Sequence, residues 1–195
     1  MNPDGTDPSE VIAATGTVTD VLEPSFSPDG QWITYEARIN GIERGSVWVV
    51  RCDGTQARQI TAVNTQIDDR QPNWSPAADD IVVQRKIVGT DTWDLFVVSV
   101  DGTTQQQITT SGTATDASWS PDGSHIVFSA TTPGDDVPQI YTANVATHAA
   151  TRLTNDATHG NSAPSWSPDG QLIAFESFSG PTESVASIWT IAAPT

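Results

Sequence analysis

The residues with the clearest chemical potential are oxygen-bearing side chains in loops, because hard divalent cations take their ligands from Asp, Asn and backbone carbonyls. Asn2, Asp4 and Asp7 fall on either side of Gly5 like a shortened calcium loop, without the twelve-residue span and closing Glu of the full motif. The other reading of this stretch is a solvated tail. A second set, Asp68, Asp69, Asp116, Asp156 and Asn161, lies in the segments that lead into three recurring aromatic-Ser-Pro tripeptides. Calcium is the cofactor these residues suggest, against solvated turn residues; Asp79-Asp80 and Asp135-Asp136 read as ordinary exposed loops. Catalytic patterns are missing from the sequence. The three His residues, His125, His148 and His159, stand in no His-Glu-x-x-His pattern, and there is neither a Cys-x-x-Cys, a Gly-x-Ser-x-Gly elbow nor a Gly-rich phosphate loop. His125 reads as a partly packed strand residue, and the chain as a non-enzyme.

The elements that must position these residues follow from an internal repeat. Phe26-Ser27-Pro28, Trp74-Ser75-Pro76, Trp119-Ser120-Pro121 and Trp166-Ser167-Pro168 recur at intervals of 48, 45 and 47 residues. A second aromatic follows each after 22, 22, 22 and 23 residues, at Trp48, Phe96, Tyr141 and Trp189. Gln59-Ile60-Thr61, Gln107-Ile108-Thr109 and Arg152-Leu153-Thr154 close the first three repeats, and the fourth stops short of such a mark. Alternation as in Trp32-Ile33-Thr34-Tyr35 and Leu172-Ile173-Ala174-Phe175 predicts short strands and little helix. Ser-Pro-Asp-Gly at residues 27–30, 120–123 and 167–170 predicts turns in which Pro sets φ, Asp caps and Gly takes φ > 0. Asp53-Gly54 and Asp101-Gly102 predict later hairpins, and Ala77-Ala78-Asp79-Asp80 and Ala146-Thr147, which replace these signals, predict altered turns. Trp74, Trp119 and Trp166 read first as packing inside the blades and only weakly as a carbohydrate platform.

The run Pro164-Ser165-Trp166-Ser167-Pro168-Asp169-Gly170, followed by Ile173-Ala174-Phe175, resembles the repeat of TolB-type propellers, and the likeness covers nearly the whole chain from about residue 22. The resemblance implies an all-β fold, here a four-bladed TolB-like β-propeller over residues 21–195 preceded by an N-terminal extension over residues 1–20. TolB itself has six blades, and four is the lower end of what closes into a ring. Since the fourth repeat has three strands, about residues 11–19, with Thr15, Gly16, Thr17, Val18 and Thr19 at the centre, are expected to supply its outer strand, either within the chain or to a neighbouring subunit.

Twenty-four acidic against eight basic side chains give a formal charge of −16, which repels phosphate backbones and excludes nucleic acid as a natural partner. The single Cys52 rules out an internal disulfide. No apolar run is long enough to insert into a membrane, and residues 1–20 carry no signal peptide, so an extracellular or periplasmic place rests on the resemblance. Two non-enzymatic functions are therefore expected: an envelope or extracellular structural protein that assembles with itself, even into filaments, through strand exchange and calcium, or a monomeric TolB-like module that binds an envelope protein or peptide at its channel mouth. A propeller domain of a larger hydrolase is the remaining alternative.

Overall fold

The computed structural model describes residues 8–39, 42–62, 66–179 and 186–194. Among them there is no helix, and the strands form four antiparallel sheets that match the four repeats. Blade 1 is β1 (Val18–Phe26), β2 (Trp32–Ile39), β3 (Ile42–Arg51) and β4 (Arg58–Gln59). Blade 2 is β5 (Ile67–Trp74), β6 (Asp80–Ile87), β7 (Trp93–Ser99) and β8 (Gln105–Gln107). Blade 3 is β9 (Thr115–Trp119), β10 (His125–Ala130), β11 (Gln139–Asn144) and β12 (Ala150–Arg152). Blade 4 has three strands, β13 (His159–Trp166), β14 (Leu172–Ser179) and β15 (Ala186–Ala192).

Turn chemistry explains the hairpins. Asp29, Asp122 and Asp169 each accept from the Ser two residues earlier, at 2.6, 2.6 and 2.5 Å, and from the backbone amide two residues later. Each Ser hydroxyl in turn accepts the amide five residues on, at 2.9 Å, and the Gly after each Asp has φ between +67 and +72°. The two departing hairpins are built differently. Ser75 receives only the nearer amide of Ala77 on its hydroxyl, and Asn144 caps the turn at Ala146 and Thr147 while His148 takes φ of 59°.

Packing between blades repeats with the sequence. Ile60 of blade 1 sits in a cluster with Ile81, Val83 and Val98 of blade 2, Ile108 with Ile126, Phe128 and Ala143 of blade 3, and Leu153 with Ile173, Phe175 and Ile191 of blade 4. The Thr that follows locks each one: Thr61, Thr109 and Thr154 hydroxyls accept the amides of Val47, Leu95 and Ile140, each at 2.9 Å. Trp74 and Trp119 are buried in these clusters, as packing residues.

The expected completion of the last blade is not what the described residues show. Thr15, Gly16 and Thr17 make a turn closed by Val18 N–H on the Thr15 carbonyl, and Val18 and Thr19 open β1, the inner strand of blade 1. The hydrophobic residue that matters lies earlier. Val11 and Ile12 pack on Ile33, Tyr35 and Val50 of blade 1, and the Val11 carbonyl closes over Gly54 as the Ile60 carbonyl closes over Gly102. Val11 is thus the fourth member of the series Ile60, Ile108, Leu153. Blades 1 and 2, 2 and 3, and 3 and 4 pack together, whereas among the described residues blade 4 does not pack on blade 1.

Candidate interaction site at the channel mouth

The inner strands β1, β5, β9 and β13 carry an irregularity at one shared place. Pairing slips between Leu22 and Ser25, Arg70 and Asn73, and Ser162 and Ser165, and in blade 3 opposite Val127 to Ser129. At each slip one residue takes the left-handed conformation: Glu23, Gln71, Asp116 and Ala163, with φ of 50, 48, 56 and 48°. Non-Gly residues rarely adopt this region, and a bulge of this kind turns a side chain away from the ladder. All four line a cleft of about 310 Å³ into which every blade contributes.

The cleft is rich in acceptors. Glu23 is exposed at its rim. Asp116 Oδ2 accepts from Ser129 Oγ at 2.7 Å and Thr115 Oγ1 at 3.0 Å. Gln71 Oε1 is buried without a hydrogen-bond partner, as is Gln84 Oε1 on the neighbouring β6. A buried unpartnered oxygen costs free energy that a ligand N–H would recover. No Lys, Arg or His lines the cleft. Its chemistry is recognition of donors, such as an amide, an ammonium or a guanidinium.

The other residues singled out for metal binding are spoken for elsewhere. Asp68 accepts from Gly45 N–H of blade 1 at 2.8 Å and pairs with Arg70 at 2.7 Å. Asp69 and Arg85 form a buried two-pronged pair at 2.6 and 2.8 Å, with the guanidinium 4.5 Å from the centre of the Phe96 ring. Asp156 caps Thr158 and His159, and these hydrogen bonds, the backbone amide of Thr158 foremost, hold its carboxyl down to about 2. Asn161 is buried and donates to Gln139 Oε1. These side chains do not converge: among the described residues no group of three or more His, Cys, Asp or Glu could hold an ion. Asn2, Asp4 and Asp7 lie outside the described residues.

The histidines do not make a relay. A nucleophile–base–carboxylate relay needs its partners on opposite ring nitrogens. At His159 both Thr158 Oγ1 and Asp156 Oδ2 meet Nδ1, at 2.9 and 3.0 Å. His125 meets Ser124 Oγ on Nδ1 and the Asn144 amide, not a carboxylate, on Nε2.

Comparison with known proteins gives a consistent picture of the fold. The family model for the TolB β-propeller domain matches residues 1–190. The Tol-Pal system protein TolB of Francisella tularensis subsp. mediasiatica is 47% identical over 57 residues, which is 29% of this chain and 12% of that protein. The uncharacterized peptidase YuxL of Bacillus subtilis is 39% identical over 72 residues, 37% of this chain and 11% of that protein. The crystal structure of TolB from Acinetobacter baumannii superposes with a TM-score of 0.76 at 20% identity, covering 97% of this chain and 44% of that one. The chain therefore spans less than half of the structure it resembles and a small part of the curated relatives.

Proposed function

The chain belongs to the TolB β-propeller family, and from that premise we propose that it is a non-enzymatic binding module of the cell envelope, which receives an extended, basic peptide segment of a partner protein at the channel mouth. One observation carries the reading: a cleft shared by all four blades offers Glu23, Asp116 and the unpartnered Gln71 oxygen, with no cation of its own. A formal charge of −16 over the whole chain draws a basic segment toward that mouth and speeds encounter. A larger hydrolase carrying this propeller is a second reading, favoured by the likeness to YuxL over 72 residues.

The test is fluorescence anisotropy with a labelled, Lys-rich extended peptide. Glu23→Gln combined with Gln71→Leu is expected to weaken binding about tenfold, the loss of one charge-assisted hydrogen bond or more, and raised salt to weaken it further. Equal binding by the double variant and the parent would remove the channel mouth as the site.

A further inference from the structure

The hairpins that follow the inner strands are equivalent in sequence and unequal in structure. Gly30, Gly123 and Gly170 each donate their amide to the carbonyl of the Ser three residues earlier, at 2.9 Å. Ala78 holds the same place in blade 2, takes no positive φ and makes no such bond to Ser75, since a Cβ penalises the left-handed turn that Gly allows. The difference shows at the boundaries between blades. Gly123 is seated on the turn of blade 2, where an added Cβ would come 2.8 Å from the Ala77 Cβ, and Gly170 is seated on Pro121 of blade 3. Between blades 1 and 2, where Ala78 stands in place of that Gly, a cleft of about 600 Å³ opens. It is lined by these two blades alone, shares no residue with the cleft at the channel mouth, and has the size of a small-molecule site, about 300–1,000 Å³.

The lining of this cleft holds both donors and acceptors that the protein leaves unused. Trp119 Nε1–H, at the boundary of blades 2 and 3, donates to the Asn73 carbonyl at 2.9 Å. The equivalent Trp74 is 6 % exposed and its Nε1–H is buried without a partner. Arg58 Nη1 donates across the boundary to the Val100 carbonyl at 2.6 Å, which fixes the guanidinium and leaves its other N–H groups for a ligand. On the acceptor side, Asp29 spends Oδ1 on the Ser27 hydroxyl and the Gln31 amide, with Oδ2 left over. The Asp79 carboxylate is exposed and accepts no hydrogen bond among the described residues; only its backbone carbonyl is used, by Val100 N–H. Trp32 supplies a partly exposed indole, with the Arg51 and Arg58 guanidinium carbons 5.5 and 5.9 Å from its ring centre.

We infer that this cleft between blades 1 and 2 binds a neutral saccharide of one or two rings, a site separate from the one for a peptide at the channel mouth. A sugar hydroxyl donates and accepts at once, so neighbouring hydroxyls on one ring satisfy the Asp29 and Asp79 carboxylates and take the Arg58 and Trp74 N–H groups together. The apolar C–H face of the ring packs on the indole of Trp32. Other ligand classes meet only half of the lining. An anion faces two carboxylates, a cation faces Arg58, and a proline-rich peptide brings carbonyls for Trp74 but no donors for Asp29 and Asp79.

Ligand-observed NMR and calorimetry of the full chain with maltose, cellobiose, lactose and N,N′-diacetylchitobiose test this. At least one of these is expected to bind with Kd of about 1 mM or tighter. Asp79→Ala and Arg58→Ala, both at exposed positions and checked for folding by unchanged circular dichroism, are each expected to weaken that binding about tenfold, the loss of one charge-assisted hydrogen bond. A saturating amount of the Lys-rich peptide is expected to leave the saccharide affinity unchanged, because the two clefts share no residue. No binding by any of the four saccharides at about tenfold that Kd, or equal binding by the parent and both variants, overturns the inference. Displacement of the saccharide by the Lys-rich peptide overturns it in favour of the channel mouth. A proline-rich peptide that binds the parent and is lost in both variants, while the saccharides do not bind, overturns it in favour of a peptide groove.

Discussion

Blade 2 and blade 4 share the repeat and differ in their surroundings. Toward the blade before it, each buries the same residues: Ile81 and Val83 in one, Ile173 and Phe175 in the other. Toward the blade after it, Leu95 and Val97 of blade 2 are buried, whereas Ile188 and Thr190 of blade 4 are exposed. A blade is thus a half-finished core on each face, and its stability resides in the boundaries that its neighbours complete. Blade 2 also holds charge that blade 4 lacks: Asp69 faces Arg85 across β5 and β6, where Asn161 faces Ser177 across β13 and β14.

The strongest way to break the contrast is through that pair. Asp69→Ala leaves the Arg85 guanidinium buried with only Gln105 Oε1 and the Phe96 ring as partners, and removal of one member of a buried ion pair costs about 3–5 kcal/mol. Urea unfolding is expected to show that loss for Asp69→Ala. Asn161→Ala in blade 4, which removes the side-chain hydrogen bonds to Gln139 Oε1, Thr154 Oγ1 and the His159 carbonyl but uncovers no charge, is expected to cost about 1–2 kcal/mol. Equal losses would mean that blade 2 gains nothing from its charges.

A second comparison changes one position in two blades. Leu95→Ala opens a cavity at the boundary between blades 2 and 3 and is expected to cost about 2–5 kcal/mol. Ile188→Ala removes the same kind of side chain from a surface that nothing among the described residues covers and is expected to stay within about 0.5 kcal/mol in dilute solution. Chemical denaturation of both variants at low concentration measures the difference directly, and a large loss at Ile188 would mean that its face is covered in the monomer.

The repeat period and the Ser-Pro-Asp-Gly turns made the blades legible, because both are local signals whose geometry is fixed within a few residues. The bulges were harder to read. Glu23, Gln71, Asp116 and Ala163 are not residue types that announce φ > 0, and what identifies them is a constant offset, three residues before each aromatic, with Pro next in three of the four. The N-terminal segment was misplaced for a related reason. The threonines at 15–19 carry the strand-like composition, whereas what the structure places over a hairpin Gly, as Ile60 is placed over Gly102, is Val11 over Gly54. The carboxylates looked like free ligands because Arg70 and Arg85 lie two and sixteen residues away from Asp68 and Asp69, and only strand pairing brings the second pair together.

The smallest effect expected concerns the turn where blade 2 departs from its siblings. In blade 3 the Asp122 carboxyl is held down to about 2, first by the Ser120 hydroxyl and then by the amide and hydroxyl of Ser124. Its contribution to stability is present above the usual carboxylate value of 3.8 and is lost as pH falls through about 2. Asp80 in blade 2 runs the other way: burial pushes its carboxyl up, helped by the charges of Asp79 and Asp101. A raised carboxyl favours the fold below 3.8 and loses that advantage as pH rises through its folded value, so at neutral pH ionised Asp80 is a net cost. Asp80→Asn removes the charge while keeping the backbone carbonyl that Ser75 N–H uses. Because the site is partly solvent-screened, the gain is expected to be about 0.5 kcal/mol, or about 1–2 °C in Tm, at pH 7. It should shrink as the pH is lowered and vanish below 3.8, where Asp80 is neutral in both folded and unfolded chains. Asp122→Asn is expected to lower Tm at pH 7, with the difference fading only toward pH 2. Thermal unfolding of the two variants across this range separates the two turns: opposite signs at neutral pH support the contrast between blades 2 and 3, and a loss for Asp80→Asn would mean that its carboxylate is stabilised where it lies.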